Sequence, residues 1–282
     1  MDEYIIRNMT LNEVKNIAVK WAEQEGWNPG LHDAEAFYQT DPTGFYVGLL
    51  NDKPIACISI VKYNDSFAFL GFYIVQEAFR GKGYGLKLWN TAITHVQNQN
   101  IGLDGVVDQQ HNYKKSNFKF AYNNVRYEGR TQKFTNLSEH IQTLEDKHFK
   151  EIIKFDKLYF PTDRALFLRN WLNQNERSSL VYCKDDTILG YATIRKCVNG
   201  YKIGPLFAKS NSIAEQLFQA VNNQANSEQY LYLDIPEPNK KAYDLVKKYS
   251  MQKVFETARM YNKTEPDICL SNIYGVTSFE LG

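Results

Sequence analysis

The sequence predicts an α/β (α+β) fold: a mixed, mostly antiparallel sheet flanked by helices, laid down twice in tandem. Three observations carry this. Short apolar runs separated by polar turns recur along the chain, as strands of a meander do. Between one such run and an amphipathic helical stretch stands a glycine-rich turn, Arg80-Gly81-Lys82-Gly83-Tyr84-Gly85. And the pattern of the first half returns in the second at an offset of about 134 positions, Ile55-Ala56-Cys57-Ile58-Ser59-Ile60 matching Leu189-Gly190-Tyr191-Ala192-Thr193-Ile194.

Taken in order, Tyr4 to Asn8 reads as a short strand. Thr10 is a helix N-cap with Glu13 completing a capping box, and Val14, Ile17, Ala18 and Trp21 follow at helical spacing until Gly26 ends the helix. Trp27-Asn28-Pro29-Gly30 is a turn, Asp33 caps a second short helix carrying Ala36 and Phe37, and Asp41-Pro42-Thr43-Gly44 is another turn. Three strands are expected at Phe45 to Leu50, Ile55 to Tyr63 and Phe67 to Val75, joined by Asn/Asp-rich turns. After the glycine turn a helix from Leu86 places Leu86, Trp89, Ala92, Ile93 and Val96 on one face, and Ile101 to Val107 is a buried strand.

The second half is a worn copy. Residues 131–138 form a polar linker, so the expected domains are 1–130 and 139–282. Ser138 to Phe160 and Asp163 to Asn173 supply the copy's leading helices, and Asn272 to Glu280 reads as a final strand. Its strand Tyr201 to Phe207 runs into Ala208-Lys209-Ser210-Asn211-Ser212-Ile213, without the glycines.

Composition narrows the function. With 282 residues, 43% hydrophobic and 23% charged, the chain is globular and long enough for two domains. Lys and Arg number 33 against 32 acidic residues, so no whole-chain charge favours nucleic acid or an anionic membrane. Cys57, Cys183, Cys197 and Cys269 form no C-x-x-C pair and read as free thiols in a reducing cytoplasm. No two of the five histidines stand at helical metal-ligand spacing, so no metal is expected. Met1-Asp2-Glu3 opens acidic with no long apolar run behind it, and no stretch reaches membrane-spanning length.

The glycine turn carries the chemistry. Alternating glycines bare the backbone N–H groups and permit positive φ, so several can converge on one anion at a helix N-terminus. Arg80 and Lys82 add positive charge. The spacing excludes a dinucleotide fingerprint, because Leu86 or Leu88 stands where the third glycine belongs, and excludes a P-loop, because Gly83 follows Gly81-Lys82. What fits is R-x-x-G-x-G, read Arg80, Gly83, Gly85. Here the chain resembles the GNAT N-acetyltransferase superfamily, whose pyrophosphate loop for acetyl-CoA has this pattern between the fourth strand and the next helix. Tyr113, Lys115, Asn117 and Phe118 fall on the Tyr, Lys, Gly and Phe of the family's later Leu-Tyr-x-Lys-x-Gly-Phe pattern, with Asn112 in place of the Leu and Asn117 in place of the Gly.

The resemblance implies acetyl transfer from acetyl-CoA to a primary amine, of a small molecule or of a protein. It implies that the fourth and fifth strands splay, that pantetheine pairs along Tyr73, Ile74 and Val75, and that the pyrophosphate sits on the loop from Arg80 and Gly81 through Lys82, Gly83, Tyr84 and Gly85. Tyr113 is the expected proton donor to the departing thiolate; the matching position in the second half is Val246, which has no proton to give. Asp108 is the expected base, with Glu77 and His111 as the other candidates. Asp33 and Glu35 are expected to attract a cationic amine, and Trp27 to wall its pocket. The second half is expected to cover the pocket or to make a homodimer contact. The competing reading is a non-catalytic acyl-CoA sensor, which keeps the loop and dispenses with turnover.

Overall fold

The computed structural model describes residues 3–282. Strands β1 (Tyr4–Asn8), β2 (Phe45–Leu50), β3 (Lys53–Lys62) and β4 (Phe67–Val75) form the expected antiparallel meander. β5 (Asn100–Val106) returns parallel to β4 through a helical crossover. The second half repeats the plan with β7 (Ile141–Thr143), β8 (Arg177–Lys184), β9 (Thr187–Lys196), β10 (Tyr201–Ala208) and β11 (Tyr230–Pro236), the last again parallel to its predecessor.

The two plans are joined by an exchange. β6 (Lys119–Arg130), the last strand of the first half, pairs with β11 of the second, while β12 (Gln252–Tyr261), the last long strand of the second half, pairs with β5 of the first. β6 and β12 lie side by side, antiparallel, at the centre of one 13-stranded sheet. The expected division at residues 131–138 therefore does not coincide with the division of the sheet. Two buried ion pairs specify this pairing: Arg126 of β6 to Asp234 of β11 at 2.7 Å, and Arg259 of β12 to Asp104 of β5 at 2.6 Å. A one-residue slip would turn each partner to the opposite face and strand buried charges.

Helices cover both faces. Thr10 caps α1 (Leu11–Glu13), and Glu13 accepts the Thr10 N–H in return, as the capping box predicts. α1 continues through a π-wound stretch, Val14–Val19, into α2 (Lys20–Gln24), which stops at Gly26 with φ +79°. α3 (Asp33–Thr40) stacks against α7 (Ala165–Leu172), and Phe37, Phe72, Phe167 and Trp171 form a core shared by the two halves. On the opposite face α4 (Tyr84–Ile93) buries Leu88, Trp89 and Ala92 against β3, β4 and β5. α8 (Asn211–Asn222) and α9 (Lys240–Lys248) repeat this over the second half. α5 (Gln110–Lys115) precedes β6, and Asn117 at φ +64° ends it, as an Asn in place of Gly allows.

Two expectations are corrected. Ser138 to Phe160 is not one helix: Ile141–Thr143 adds an edge strand to β8, and α6 (Phe149–Asp156) follows a turn in which the Glu145 N–H donates to His148 Nδ1 at 3.0 Å. The final strand is only β13 (Ile273–Gly275), paired with β10. Beyond it residues 276–282 leave the sheet and run, buried throughout, along the seam between the halves. β11 pairs with β10 only from Tyr201 to Ile203, and β13 takes the edge left beyond, at Leu206 and Phe207, before the tail turns out of the sheet. The tail is tied down instead: Arg164 donates to Thr277 Oγ1 (2.8 Å) and to the Gly282 carbonyl (3.2 Å), and the Tyr63 hydroxyl donates to the Leu281 carbonyl (2.9 Å).

Candidate active site

β4 and β5 pair only from Phe67↔Asn100 to Leu70↔Leu103. Beyond that point β4 follows β3, with a register shift opposite Gly71 and Ile74 and Phe72 at φ +48°, while β5 follows β12 from Gly102 to Val106. The two strands diverge, and a cleft of about 660 Å³ opens between them. The splay expected of the fourth and fifth strands is thus a direct result of each strand having a different partner.

The glycine loop borders the cleft. Gly81 and Gly83 have φ +76° and +83°, and a Cβ built on either would meet nothing within 4 Å. The space over these two residues is open to a ligand, and a side chain would fill it. The first bond of α4 runs from Lys87 N–H to the Gly83 carbonyl at 3.1 Å, so the amides of Tyr84, Gly85 and Leu86 have no acceptor within the helix. They are available to an anion, assisted by the helix dipole. Gly85 is small for a different reason: a Cβ there would lie 2.7 Å from Tyr73 Oη and 2.9 Å from Val75 Cγ2.

The side chains around the loop divide. Tyr73, Ile74, Val75, Arg80, Gly81, Gly83 and Gly85 all line the cleft. Arg80 is partly committed, donating to the Val75 carbonyl (2.8 Å) and pairing with Glu25 (2.7 Å). Lys82 and Tyr84 are not among the lining residues; the Lys82 ammonium lies 5.6 Å over the Phe79 ring, and Tyr84 packs on Tyr4 at 4.8 Å.

Tyr113 projects from α5 into the same cleft. Its ring packs on Trp89 at 5.9 Å and fits over Gly105, where any side chain would collide with it. Burial pushes its phenol well above the ordinary value, with the neighbouring Tyr73 adding to the effect, so it stays protonated through neutral and mildly alkaline pH. Its hydroxyl makes no hydrogen bond with the described residues.

Carboxylates distribute less simply. Asp108 lines the cleft and is exposed. Glu77 and His111 are exposed and do not line it, and Glu35 pairs with Lys15 at 2.5 Å. Asp33 corrects the expectation placed on it. It does not line the cleft; it is buried between Arg177 (2.9 Å) and Arg195 (3.1 Å) of the second half and accepts the Gly30 N–H. A carboxylate so fully engaged has no capacity left to attract an amine. Trp27 does line the cleft, and its carbonyl accepts from Arg126 at 2.7 Å.

The second half supplies lining residues that sequence patterns did not point to. Phe255 and Thr257 come from β12, and Phe279 and Glu280 from the buried tail. Phe279 is braced by the Arg126 guanidinium, 4.8 Å from its ring. Thr257 is buried and its hydroxyl has no hydrogen-bond partner. Asp104 also lines the cleft but is held by Arg259 and Asn124. Among the described residues no cluster of His, Cys, Asp or Glu suits a metal ion, and no helix is long and apolar enough to cross a membrane.

Comparison with known proteins agrees with this geometry. Residues 11–118 match the model of the acetyltransferase (GNAT) family, and residues 152–275 match a second model, an acetyltransferase (GNAT) domain. The chain is 34% identical over 266 residues to holothin acyltransferase of Pseudoalteromonas sp. (strain SANK 73390), covering 94% of this chain and 90% of that one. It superposes on the crystal structure of a putative acetyltransferase from Pyrococcus horikoshii with a TM-score of 0.84 at 22% identity, over 99% and 96% of the two chains. A tandem GNAT protein from the clavulanic acid biosynthesis pathway gives 0.65 at 9% identity, over 94% and 100%.

Proposed function

The chain belongs to the GNAT family of acyltransferases, and from that premise we propose that it moves the acetyl group of acetyl-CoA to the primary amine of a small molecule. The observation that carries this reading is the cleft between diverging β4 and β5, bounded by an open glycine loop and holding an unpartnered phenol.

The pyrophosphate of the coenzyme rests on the free amides at the start of α4, in the space left by Gly81 and Gly83. The pantetheine runs along Tyr73, Ile74 and Val75 towards the register shift at Gly71. The register shift interrupts the β3–β4 ladder between Gly71 and Ile74, and backbone N–H groups of β4 there polarise the thioester carbonyl. Fixing donor and acceptor in one cleft supplies the proximity part of the acceleration. Tyr113 gives its proton to the sulfur as the carbon–sulfur bond breaks. Asp108, exposed beside the cleft, is the sequence's candidate to take the proton of the ammonium. The second half lacks the loop and the tyrosine, so one acetyl-CoA is used per chain. The aromatic walls Trp27, Phe255 and Phe279 favour a small acceptor with an apolar body over an extended protein chain.

Two measurements test this. Calorimetric titration with acetyl-CoA should give one site per chain. Thiol release from acetyl-CoA should then depend on an added amine, with holothin, named in the relative's activity, as one compound of the acceptor panel. An absence of heat with acetyl-CoA would refute the reading. Tight binding with no acceptor-dependent thiol release would favour a sensor instead.

A further inference from the structure

We infer that the second half supplies the acceptor side of the reaction: Glu280, on the buried tail, is the carboxylate that takes the proton of the incoming ammonium, and the Thr257 hydroxyl holds the nitrogen beside it. This rests on the acetyl-transfer reading above.

Four observations converge. Glu280 is buried and lines the cleft, opposite the β4 register shift where the thioester would lie. Its backbone passes directly over Gly71, where any side chain would run into the Glu280 carbonyl oxygen, so position 71 is kept bare to admit the tail. Its carboxylate makes no hydrogen bond or ion pair with the described residues. Thr257, in the same lining, has a buried hydroxyl without a partner. Buried polar groups are as a rule satisfied, so an orphan hydroxyl beside an unpaired carboxylate in one cleft lining marks the place of a polar ligand. A carboxylate and a hydroxyl together suit a cationic primary amine.

Charged groups surround Glu280 on several elements. Arg126 of β6, Arg195 of β9 and Lys202 of β10 all act on it, and each is buried. Against them stand Asp234 of β11, paired with Arg126, and Asp33 of α3, paired with Arg195. Cys197, after β9, is a buried thiol held protonated by its burial. On the cleft side Asp104 of β5 is neutralised by Arg259, and Glu25 by Arg80.

The step balances. Glu280 takes one proton from the ammonium, and the freed nitrogen lone pair forms the bond to the thioester carbon. The carbon–sulfur pair leaves with sulfur, which takes the Tyr113 proton. The nitrogen gives up its second proton, which restores the phenol, and Glu280 releases its own to solvent. One ammonium and one acetyl-CoA give one amide, one CoA thiol and one proton.

The test uses the full chain with Glu280→Gln, Glu280→Asp and Thr257→Val. Benzylamine, tyramine and a lysine peptide serve as acceptors, with calorimetry of acetyl-CoA alongside. Glu280→Gln should lower acceptor-dependent kcat/KM by about 100-fold or more. It should leave the acetyl-CoA Kd unchanged and remove the acidic limb of the pH–rate profile. Glu280→Asp should restore part of the rate and that limb. Thr257→Val should raise the amine KM about tenfold with a smaller change in kcat. A Glu280→Gln protein that melts lower but keeps the wild-type rate and pH profile would make Glu280 a structural counter-charge and overturn the inference. Wild-type binding of acetyl-CoA with no binding of any amine to the CoA complex would also overturn it. Loss of acetyl-CoA binding in the wild type would instead remove the reading beneath it.

Discussion

Replacing Gly83 by Ala separates the strain of a left-handed backbone from the occupation of a ligand's place. Gly83 has φ +83°, and a Cβ there would meet no protein atom within 4 Å. The methyl group therefore creates no clash in the free protein, and the fold pays only for forcing an L-residue into that conformation, about 1–2 kcal/mol. Gly26 offers a matched reference: φ +79°, nothing within 4 Å of its Cβ, and a position outside the loop. The two variants should lose similar stability. Only Gly83→Ala should lose coenzyme, because its methyl fills the space over the free amides of Tyr84 to Leu86. Displacing a pyrophosphate oxygen from even one charged hydrogen bond costs about 1.5–3 kcal/mol. That corresponds to roughly a 10- to 100-fold rise in the acetyl-CoA Kd. Calorimetry reads the Kd and thermal melting the stability. Equal Kd in wild type and Gly83→Ala, or an equal loss in Gly26→Ala, would refute the cradle.

Other outcomes follow from single contacts. Tyr113→Phe should cut turnover by about 100-fold while leaving the acetyl-CoA Kd unchanged, and the wild-type rate should hold on the alkaline side because burial keeps the phenol protonated above its ordinary range. Asp33→Asn should cost about 3–5 kcal/mol in urea unfolding, since it leaves Arg177 and Arg195 buried without their carboxylate. Burial by itself would raise the Asp33 carboxyl, but Arg195, Arg177, the Gly30 N–H and Lys202 outweigh it and hold it below the ordinary aspartate range. Its stabilising effect is therefore complete above about pH 4 and is lost as pH falls further, and Asp33→Asn should flatten that acid limb. Gly71→Ala should displace the tail at Glu280, costing about 1–3 kcal/mol and raising the amine KM more than the acetyl-CoA Kd.

What the sequence made legible was what local chemistry decides. The glycine loop, the capping box at Thr10 and Glu13, the meander of β2 to β4 and the left-handed end at Asn117 each depend on residues a few positions apart. What it concealed depends on distant partners. Asp33 reads as a helix-start carboxylate free to meet a ligand, yet its arginines stand 144 and 162 positions away. The exchange of β6 and β12 is invisible to alternation, because a half-buried strand reads the same whichever neighbour it takes. Its determinants, Arg126 to Asp234 and Arg259 to Asp104, span 108 and 155 positions. Glu280 lies in a run that reads as a strand, and the ties that take it out of the sheet, Arg164 to Thr277 and Tyr63 to Leu281, come from far along the chain.

The exchange also links the half without a glycine loop to the site in the half that has one. The cleft exists because β5 leaves β4 to follow a strand contributed by the other half. Without β12, β5 would present an open edge, and Asp104 would remain without the arginine that neutralises it. β5 would then have no competitor to draw it from β4, and the two would tend to pair along their length and close the cleft. The second half therefore acts on the site twice: as the strand that holds the cleft open, and as the source of Phe255, Thr257, Phe279 and Glu280 along one of its walls. Loss of its own glycines leaves both contributions intact, because neither runs through a phosphate.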